Sequence, residues 1–499
     1  MFRTKIKKLL KEIVGQEARL ERPANPDNGD FSTNIAMVAK MDAAKLAEQL
    51  KASPLFEKVE AVNGFVNFFL SGKCLRQELA DVLKQGDKFG HINLGKNKKI
   101  QVEFISANPT GPLTVGNGRG GFMGDCLANV LSAAGFNVQR EYYINYRGTQ
   151  IESLKKGLYK GEERTWDKIQ KENQKFIVKK LRIKFDVWFS EKSLYKTKQV
   201  QAVLSLLERK CLTYRQENAL WLKTIQFGDD KDRVLVRKDG EPTYFLSDIA
   251  YFKNKMARGF TQVINLWGAD HHGYVPRYHA MIKAMGYPAQ AWRPIIFQLV
   301  QLLKNGKEVK MSKRKGVFVT LEWLIDQVGL DAARFFFLTR SADNHLNFDL
   351  NLAKEQSEKN PVYYVQYAHA RICSILRKLE TRNSKFRHFD ISTSRNLKLL
   401  NHPSELKLIK ELLKLPEVVE DISRDYQVQR VPQYALDLAT AFHQFYRDCH
   451  VLEVDNPPNP PEAGRAEKTS EARLALVLAA QIVLKKTLGL MGISAPAKM

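Results

Sequence analysis

The chain has 499 residues, 44% of them hydrophobic, which is enough for about two to four domains with real cores. Its 79 Lys+Arg stand against 54 Asp+Glu, a net charge of +25. That excess points to a large polyanion, most simply nucleic acid, although charge alone also fits a basic protein with no such partner. Cys74, Cys126, Cys211, Cys373 and Cys449 are scattered and form no CxxC pair, against a disulfide framework or a structural zinc site and in favour of a reducing, cytoplasmic setting. No apolar run approaches the ~18 residues of a membrane span, and no basic helix has an apolar face beside a lipidation motif.

In chain order, the N-terminal stretch MFRTKIKKLLKEIVGQEARL carries Glu12 and Glu17 and reads as an amphipathic helix, not a signal peptide. Asn25 to Asp30 is a turn cluster, and Phe65 to Leu70 after Asn63-Gly64 is a buried strand. Residues 72 to 98 form a helix and a link. From Lys99 the pattern changes. Ile100, Val102, Phe104 and Ile105 read as a strand, followed by the Gly/Pro turn ANPTGPLTVGN at 107 to 117, a helix from Gly121 to Ala134 and a strand from Val138 to Ile144. This is a βαβ unit, which predicts a parallel sheet with its ligand at the carboxyl ends of the strands, where the turn falls. Residues 152 to 184 are charged, lysine-rich and helical in pattern, an insertion or arm whose lysines are mostly solvated. Strand-like segments follow at 219 to 246, Gln262 to Trp267 and Phe297 to Leu303, the last running into the hairpin-type turn Asn305-Gly306. From about Leu352 only helical periodicity remains, broken near Asn456 to Pro461. The stretch YYVQYAHARICSILRKL at 363 to 379 interleaves basic and aromatic residues.

Two segments suggest chemistry on a nucleotide. The first is the turn: Gly111 and Gly116 permit unusual backbone geometry, Gly118 and Gly120 keep the start of the following helix bare, and helix-start N–H groups bind anions. Arg119 either adds a charge there or lies on the surface. The second is KMSKR at 310 to 314, whose Lys310, Lys313 and Arg314 project from a loop able to clamp developing phosphoryl charge. Alone, such a loop is usually solvated surface. Asp270-His271-His272 follows a strand end. Adjacent histidines point apart, so a shared metal is disfavoured. Asp270 and His271 either bind a ribose or adenine or hydrogen-bond the turn. Glu103 and Asp248 are acids in apolar stretches. They have an internal partner such as an arginine, or they line a pocket for a cation that fits paired carboxylates.

The ordered set ANPTGPLTVGNGRG, EYYIN, FDVWFSE, FGDDKDRVLV, TYFLSDIAYF, WGADHHGYVPR, VKMSKRKG, NPVYYVQYAHARI and LGLMGISAPAKM, with NPDNGDFSTNIA near the start, resembles arginyl-tRNA synthetases of bacterial type from about residue 25 to 499. The resemblance implies an α/β fold: a Rossmann-like parallel-sheet catalytic domain at 96–345 with an arm or insertion at 152–225, a small α+β N-terminal domain at 1–75 that touches the tRNA elbow, and an all-α domain at 352–499 that binds the anticodon stem-loop.

It also implies ATP-dependent attachment of L-arginine to tRNA(Arg) through an arginyl-adenylate in the cytoplasm, by a monomer, with ATP and Mg2+ as substrate, no prosthetic group, no zinc and no membrane partner. Ala107, Asn108, Pro109, Thr110, Gly111, Pro112, Leu113, Thr114, Val115, Gly116 and Asn117 match the HIGH motif, and Lys310, Met311, Ser312, Lys313 and Arg314 match KMSKS. Pro109, Gly111, Gly116, Asp270, His271, Met311 and Ser312 then bind ATP, and Glu103, Asn108, Tyr244 and Asp248 bind arginine. Three departures stand out: TVGN replaces HVGH, Tyr146 replaces an aspartate after YIN, and the 152–184 arm is short and lysine-rich. Thr and Asn still donate hydrogen bonds as neutral groups, and a TIGN form occurs in working tryptophanyl-tRNA synthetases. The alternative is a catalytically silent relative that only binds tRNA.

Overall fold

The computed structural model describes residues 1–146, 164–309, 319–382, 395–451 and 460–499. At its centre is a five-stranded, all-parallel sheet built from β1 (Lys99–Glu103), β2 (Asn137–Ile144), β3 (Val187–Ser190), β4 (Gln262–Gly268) and β5 (Trp292–Phe297), in the spatial order β5-β4-β1-β2-β3. The chain winds outward from β1 to β3, then returns to lay β4 against the other side of β1. The order therefore reverses between β1 and β4, and ligands of open α/β sheets bind outside the strand ends at such a reversal.

The two faces of the sheet differ. Ile100, Val102 and Phe104 pack on one side against α1 (Val115–Ala133). Alternation sends Gln101 and Glu103 to the other side, beneath α3 (Tyr244–Ala257), where Glu141 of β2 joins them. α1 starts six residues earlier than the sequence pattern predicts (121 − 115 = 6). Gly118, Gly120, Gly121 and Gly124 sit in it where close packing leaves little room for a side chain. A Cβ on Gly118 would lie 2.5 Å from the Leu321 side chain, and one on Gly124 would lie 2.3 Å from Phe104. The expected role of Gly118, a bare helix start for a ligand, gives way to tight packing.

Other expectations fare variously. Residues 244 to 246 open a helix instead of continuing a strand. The strand expected at 297 to 303 is two, β5 and Val300–Lys304. The Asn305-Gly306 turn closes an antiparallel hairpin with both residues at positive φ. α2 (Arg164–Lys179), the described part of the charged arm, exposes Lys168, Lys171, Lys175 and Lys179 as expected, but buries Gln170, Asn173 and Ile177 on its inner side. The break expected near Asn456 lies outside the described residues.

Around this centre sit an N-terminal antiparallel sheet (Phe31–Thr33, Phe65–Leu70, Phe56–Val62) and a C-terminal set of helices that includes α4 (Pro361–Arg382) and α5 (Arg430–Asp448). Ion pairs tie the two together: Arg22 reaches Glu417 at 2.9 Å, and Lys410 reaches Asp30 at 2.8 Å. Two buried arginines pin the centre. Arg119, fully buried, donates to the carbonyls of Gln298, Ser341 and Asn344 at 2.7–2.8 Å. Burial lowers its pKa to about 10. It is therefore neither a ligand charge nor a surface residue. Arg334 bonds Asp125 on α1 at 2.8 Å, the Leu181 carbonyl at 2.6 Å and the Met491 carbonyl at 2.9 Å. It joins α1, the end of the arm and the C-terminal segment.

Removing Arg334 leaves Asp125 buried with only Arg140, at 3.7 Å. Arg334→Leu is expected to destabilise by about 3–5 kcal/mol, read as a lower urea midpoint. A shift no larger than that of a surface substitution would contradict the role.

Candidate active site

β1 ends at Glu103, and the backbone then turns hard. Ile105 and Ser106 both take left-handed conformations, at φ 66° and 37°. For a β-branched residue this is strained, and such strain persists only where the surroundings hold it. Here they do. Ser106 Oγ donates to Glu103 Oε1 at 3.3 Å and accepts from the Tyr143 amide at 3.1 Å. Tyr142 donates to the Ala107 carbonyl at 3.0 Å, and Asn145 donates to Asn108 Oδ1 at 3.3 Å. From α2, Asn173 donates to the Gly111 carbonyl at 3.0 Å. The Leu321 amide donates to the Leu113 carbonyl at 2.9 Å. Pro109 is buried, while Asn108, Thr110 and Pro112 are exposed. The glycine turn is thus a braced loop at the β1/β4 reversal.

Thr114 and Asn117 form a reciprocal cap at the head of α1. Asn117 N–H donates to Thr114 Oγ1 at 3.3 Å, and Asn117 Oδ1 accepts from both the Thr114 amide and its hydroxyl at 2.9 Å. This satisfies two of the donors that a helix start leaves open. It also separates the two residues chemically. The Thr114 hydroxyl is spent inside the cap, as donor and acceptor. Asn117 commits only its oxygen, so its NH2 retains donor capacity toward a ligand. The partly exposed Gly116 amide is a further helix-start N–H at the mouth of the loop.

The acids expected to bind a cation come together under α3. Tyr244 opens that helix, and Asp248, Tyr251 and Lys255 follow it on the same side. Glu103, 7% exposed, pairs with the fully buried Lys255 at 2.6 Å. The internal partner is a lysine, not an arginine. Glu141 is clamped by Arg258 at 2.5 and 2.9 Å and accepts from Tyr251 at 2.5 Å. Burial pushes the Glu141 carboxyl up, but Arg258 and Lys255 bring it below its usual value.

Asp248 is different. Burial, with Glu191 and Glu103 close by, pushes its pKa up to about 8, while Lys255 and Arg277 pull back only partly. It is a carboxyl short of positive charge. Tyr143 and Tyr278 stand near the same acids, and both phenols are raised by burial first and then by those acids.

Several of these residues escaped the sequence reading. Glu141, Tyr251 and Glu191 fall inside the matched segments EYYIN, TYFLSDIAYF and FDVWFSE without a role being read for them, and Lys255, Arg258, Ser106 and Asn173 lie outside any matched segment. One signal was present: Tyr244, Asp248, Tyr251 and Lys255 repeat at spacings of four, three and four, a polar stripe along one side of the helix. Tyr146, the departure after YIN, packs at a 42° tilt on Trp166 of α2 with centroids 4.3 Å apart, beneath the Lys192 ammonium at 3.9 Å, and its amide donates to Glu191 at 2.9 Å. It packs the arm against the sheet.

Across the reversal, Asp270 and His271 lie exposed in a short 3-10 turn after β4, with His271 Nε2 3.7 Å from Asp270 and its ring 5.7 Å from that of Trp267. Among the described residues, no group of three or more His, Cys, Asp or Glu side chains is placed to hold a metal ion, and no helix is long and apolar enough to cross a membrane. Lys310, Met311, Ser312, Lys313 and Arg314 lie outside the described residues.

Three family models match the chain: the arginyl tRNA synthetase N terminal domain at residues 1–70, the class I (R) tRNA synthetase catalytic domain at 78–175 and 155–372, and the DALR anticodon binding domain at 365–499. An arginine–tRNA ligase of Halalkalibacterium halodurans is 42% identical over 97% of this chain and 94% of its own length. The chain belongs to the arginyl-tRNA synthetase family.

Solved structures agree. A putative arginyl-tRNA synthetase from Campylobacter jejuni superposes with a TM-score of 0.73 at 30% identity, covering 86% of this chain and 100% of that one. The Thermus thermophilus arginyl-tRNA synthetase shares the fold at a TM-score of 0.76 and 22% identity, covering 100% of both chains. Membership gives the α/β architecture, with its small N-terminal and helical C-terminal parts, a class I synthetase catalytic unit that works with ATP. Neither the relatives nor the described geometry favours the silent alternative.

In this member of the family the cap predicts a split between its two polar residues. Thr114→Val is expected to cost about 0.5–2 kcal/mol of stability, while Thr114→Ser keeps native pyrophosphate exchange within about twofold. Thermal unfolding and exchange kinetics check both. A Thr114→Ser variant as impaired as Thr114→Val would contradict the cap as the residue's task.

Proposed function

We propose that this chain attaches L-arginine to tRNA(Arg) through an arginyl-adenylate, with ATP and Mg2+ as substrate. The observation that carries this reading is the meeting of two things at one sheet reversal: a braced, capped glycine turn suited to phosphates, and an acid pocket short of positive charge. An arginine α-carboxylate oxygen attacks the α-phosphorus of ATP, and the bond to pyrophosphate breaks. A ribose hydroxyl of the tRNA 3′ adenosine then attacks the adenylate carbonyl, and AMP leaves. No protein nucleophile is needed, so position and electrostatics supply the rate. Glu103, Asn108, Tyr244 and Asp248 take the amino acid, the two carboxylates receiving the guanidinium. Pro109, Gly111, Gly116, Asp270, His271, Met311 and Ser312 border the nucleotide. Lys310, Lys313 and Arg314 carry the charge that develops on the α-phosphate. Asn117 donates its NH2 in place of a histidine, and Thr114 holds it in position.

The domain division at 1–75, 96–345 and 352–499 assigns tRNA contacts to both flanks. A surface on α4 and α5 supports the anticodon role: Tyr363 and Tyr367 stack at 6.2 Å, and the Arg371 guanidinium lies 5.2 Å from Tyr367 and 4.6 Å from Tyr446. Exposed aromatic rings interleaved with arginine suit unstacked bases. On the N-terminal part, Met37, Val38 and Phe65 are exposed and offer an apolar contact to the tRNA elbow. A cytoplasmic monomer fits this work.

Charging of tRNA(Arg) with labelled arginine tests the reading directly. Native protein is expected to charge. Asn117→Ala is expected to lower charging at least tenfold, in line with the roughly 2.7–4 kcal/mol that losing one transition-state donor costs. No charging by native protein at saturating substrate would overturn the function, and a near-native rate in Asn117→Ala would remove that residue from it.

A further inference from the structure

The proposed reaction gives Lys255 no part, yet it is more deeply buried than Arg258, the other cation paired with an acid beside the pocket. It is fully buried, one helical turn beyond Tyr251 on α3. Its ammonium sits 2.6 Å from Glu103 Oε2 and 4.0 Å from the centroid of the Tyr251 ring. Tyr251 is itself fixed by its bond to Glu141, which Arg258 clamps from the other side. The ammonium is therefore held between the Glu103 carboxylate and the Tyr251 ring. Among the described residues, Glu103 Oε1 carries only the long 3.3 Å bond from Ser106, so it keeps acceptor capacity. Glu103 and Asp248 are close enough to raise one another's neighbours, Tyr143 and Tyr278, together.

We propose that Lys255 is a specificity-determining residue: its ammonium permanently occupies one oxygen of Glu103, so that a substrate cation must bridge the other oxygen of Glu103 and the carboxylate of Asp248. A planar guanidinium does this, because its five N–H groups form a fork and its charge is spread over the plane. The ammonium of lysine or ornithine is a compact, strongly hydrated charge. It meets half a carboxylate and faces a fixed like charge behind it. Discrimination between guanidino and amino substrates then comes from a built-in repulsion as well as from a good fit. A pair of fully free carboxylates would lack that repulsion and accept either cation. The proposal rests on Glu103 and Asp248 receiving the substrate guanidinium.

The test is pyrophosphate exchange by the full chain, with tRNA present, using arginine, lysine and ornithine in turn. Lys255→Met removes the charge at similar length, Lys255→Gln keeps a donor without charge, and Lys255→Arg keeps the charge. In Lys255→Met and Lys255→Gln, kcat/KM for arginine is expected to fall at least tenfold. The ratio of kcat/KM for lysine or ornithine to that for arginine is expected to rise at least tenfold, with the KM for ATP within about twofold of native. Lys255→Arg should restore most of the discrimination. Two variants without charge allow for one that fails to fold, which circular dichroism reports. An unchanged ratio in a folded variant overturns the proposal, as does an equal loss for all three amino acids that Lys255→Arg does not reverse. Asp248→Asn separates this from the reading beneath it. If Asp248→Asn leaves the arginine KM at its native value, the pocket assignment itself fails. If it raises that KM while the Lys255 variants keep native ratios, the pocket stands and Lys255 has no part in selection.

Discussion

The buried pairing of Glu103 with Lys255 is the contact on which the geometry of the site depends. A parallel sheet covered on both sides usually presents apolar residues to both. Toward α1 this one does so, while toward α3 it sets polar and charged groups beside the buried Val263 and Trp292. Toward α3 it presents Gln101, Glu103 and Glu141, and α3 answers with Lys255, Tyr251 and the Arg258 that follows it. Burying such charges costs desolvation, and well-packed apolar residues would often hold a helix as firmly. What the ion pairs add is register. They fix which turn of α3 lies over which strand, and so they fix where Tyr244 and Asp248 stand. With two carboxylates already matched to internal cations, Asp248 is left as the acid whose charge is unbalanced, and its raised pKa is the electrostatic record of that.

The glycine turn proposed for the nucleotide is built by different means. Strain at Ile105 and Ser106 turns the chain sharply off β1, and hydrogen bonds from Tyr142, Asn145, Asn173 and Leu321 keep it there. The turn and the acid pocket share Ser106, which bonds Glu103 on one side and the Tyr143 amide on the other. The proposed phosphate loop and the proposed amino-acid pocket are therefore one construction. Thr114 and Asn117 fit this construction, since the pair closes the start of α1 as a cap and Asn117 commits only its oxygen there.

Much of this was legible in the sequence where a residue's identity dictates local geometry. The βαβ unit around 100 to 144, the Asn305-Gly306 hairpin and the all-helical region after Leu352 follow from period and turn chemistry, and the ordered motifs gave the family. The start of α1 was misplaced because its glycines look like loop residues in one dimension; only the approach of Leu321 and Phe104 explains them. Arg119 was ambiguous for a similar reason, as the carbonyls it caps lie far along the chain. The candidate acids were found, but not what they touch. Lys255 and Glu141 meet them only after the sheet and α3 are assembled, and no spacing along the chain encodes that meeting.

The central claim is that Asp248 is the acid waiting for a guanidinium. With a pKa of about 8 in the free protein, it is mostly protonated at pH 7, and a bound guanidinium would return it to a carboxylate. Arginine binding at pH 7, measured by titration calorimetry in buffers of different ionisation enthalpy, should therefore release protons, and the release should fade as the pH rises above 8 and vanish in Asp248→Asn. Arginine binding with no proton release at pH 7, or with the same release in Asp248→Asn, would contradict the account.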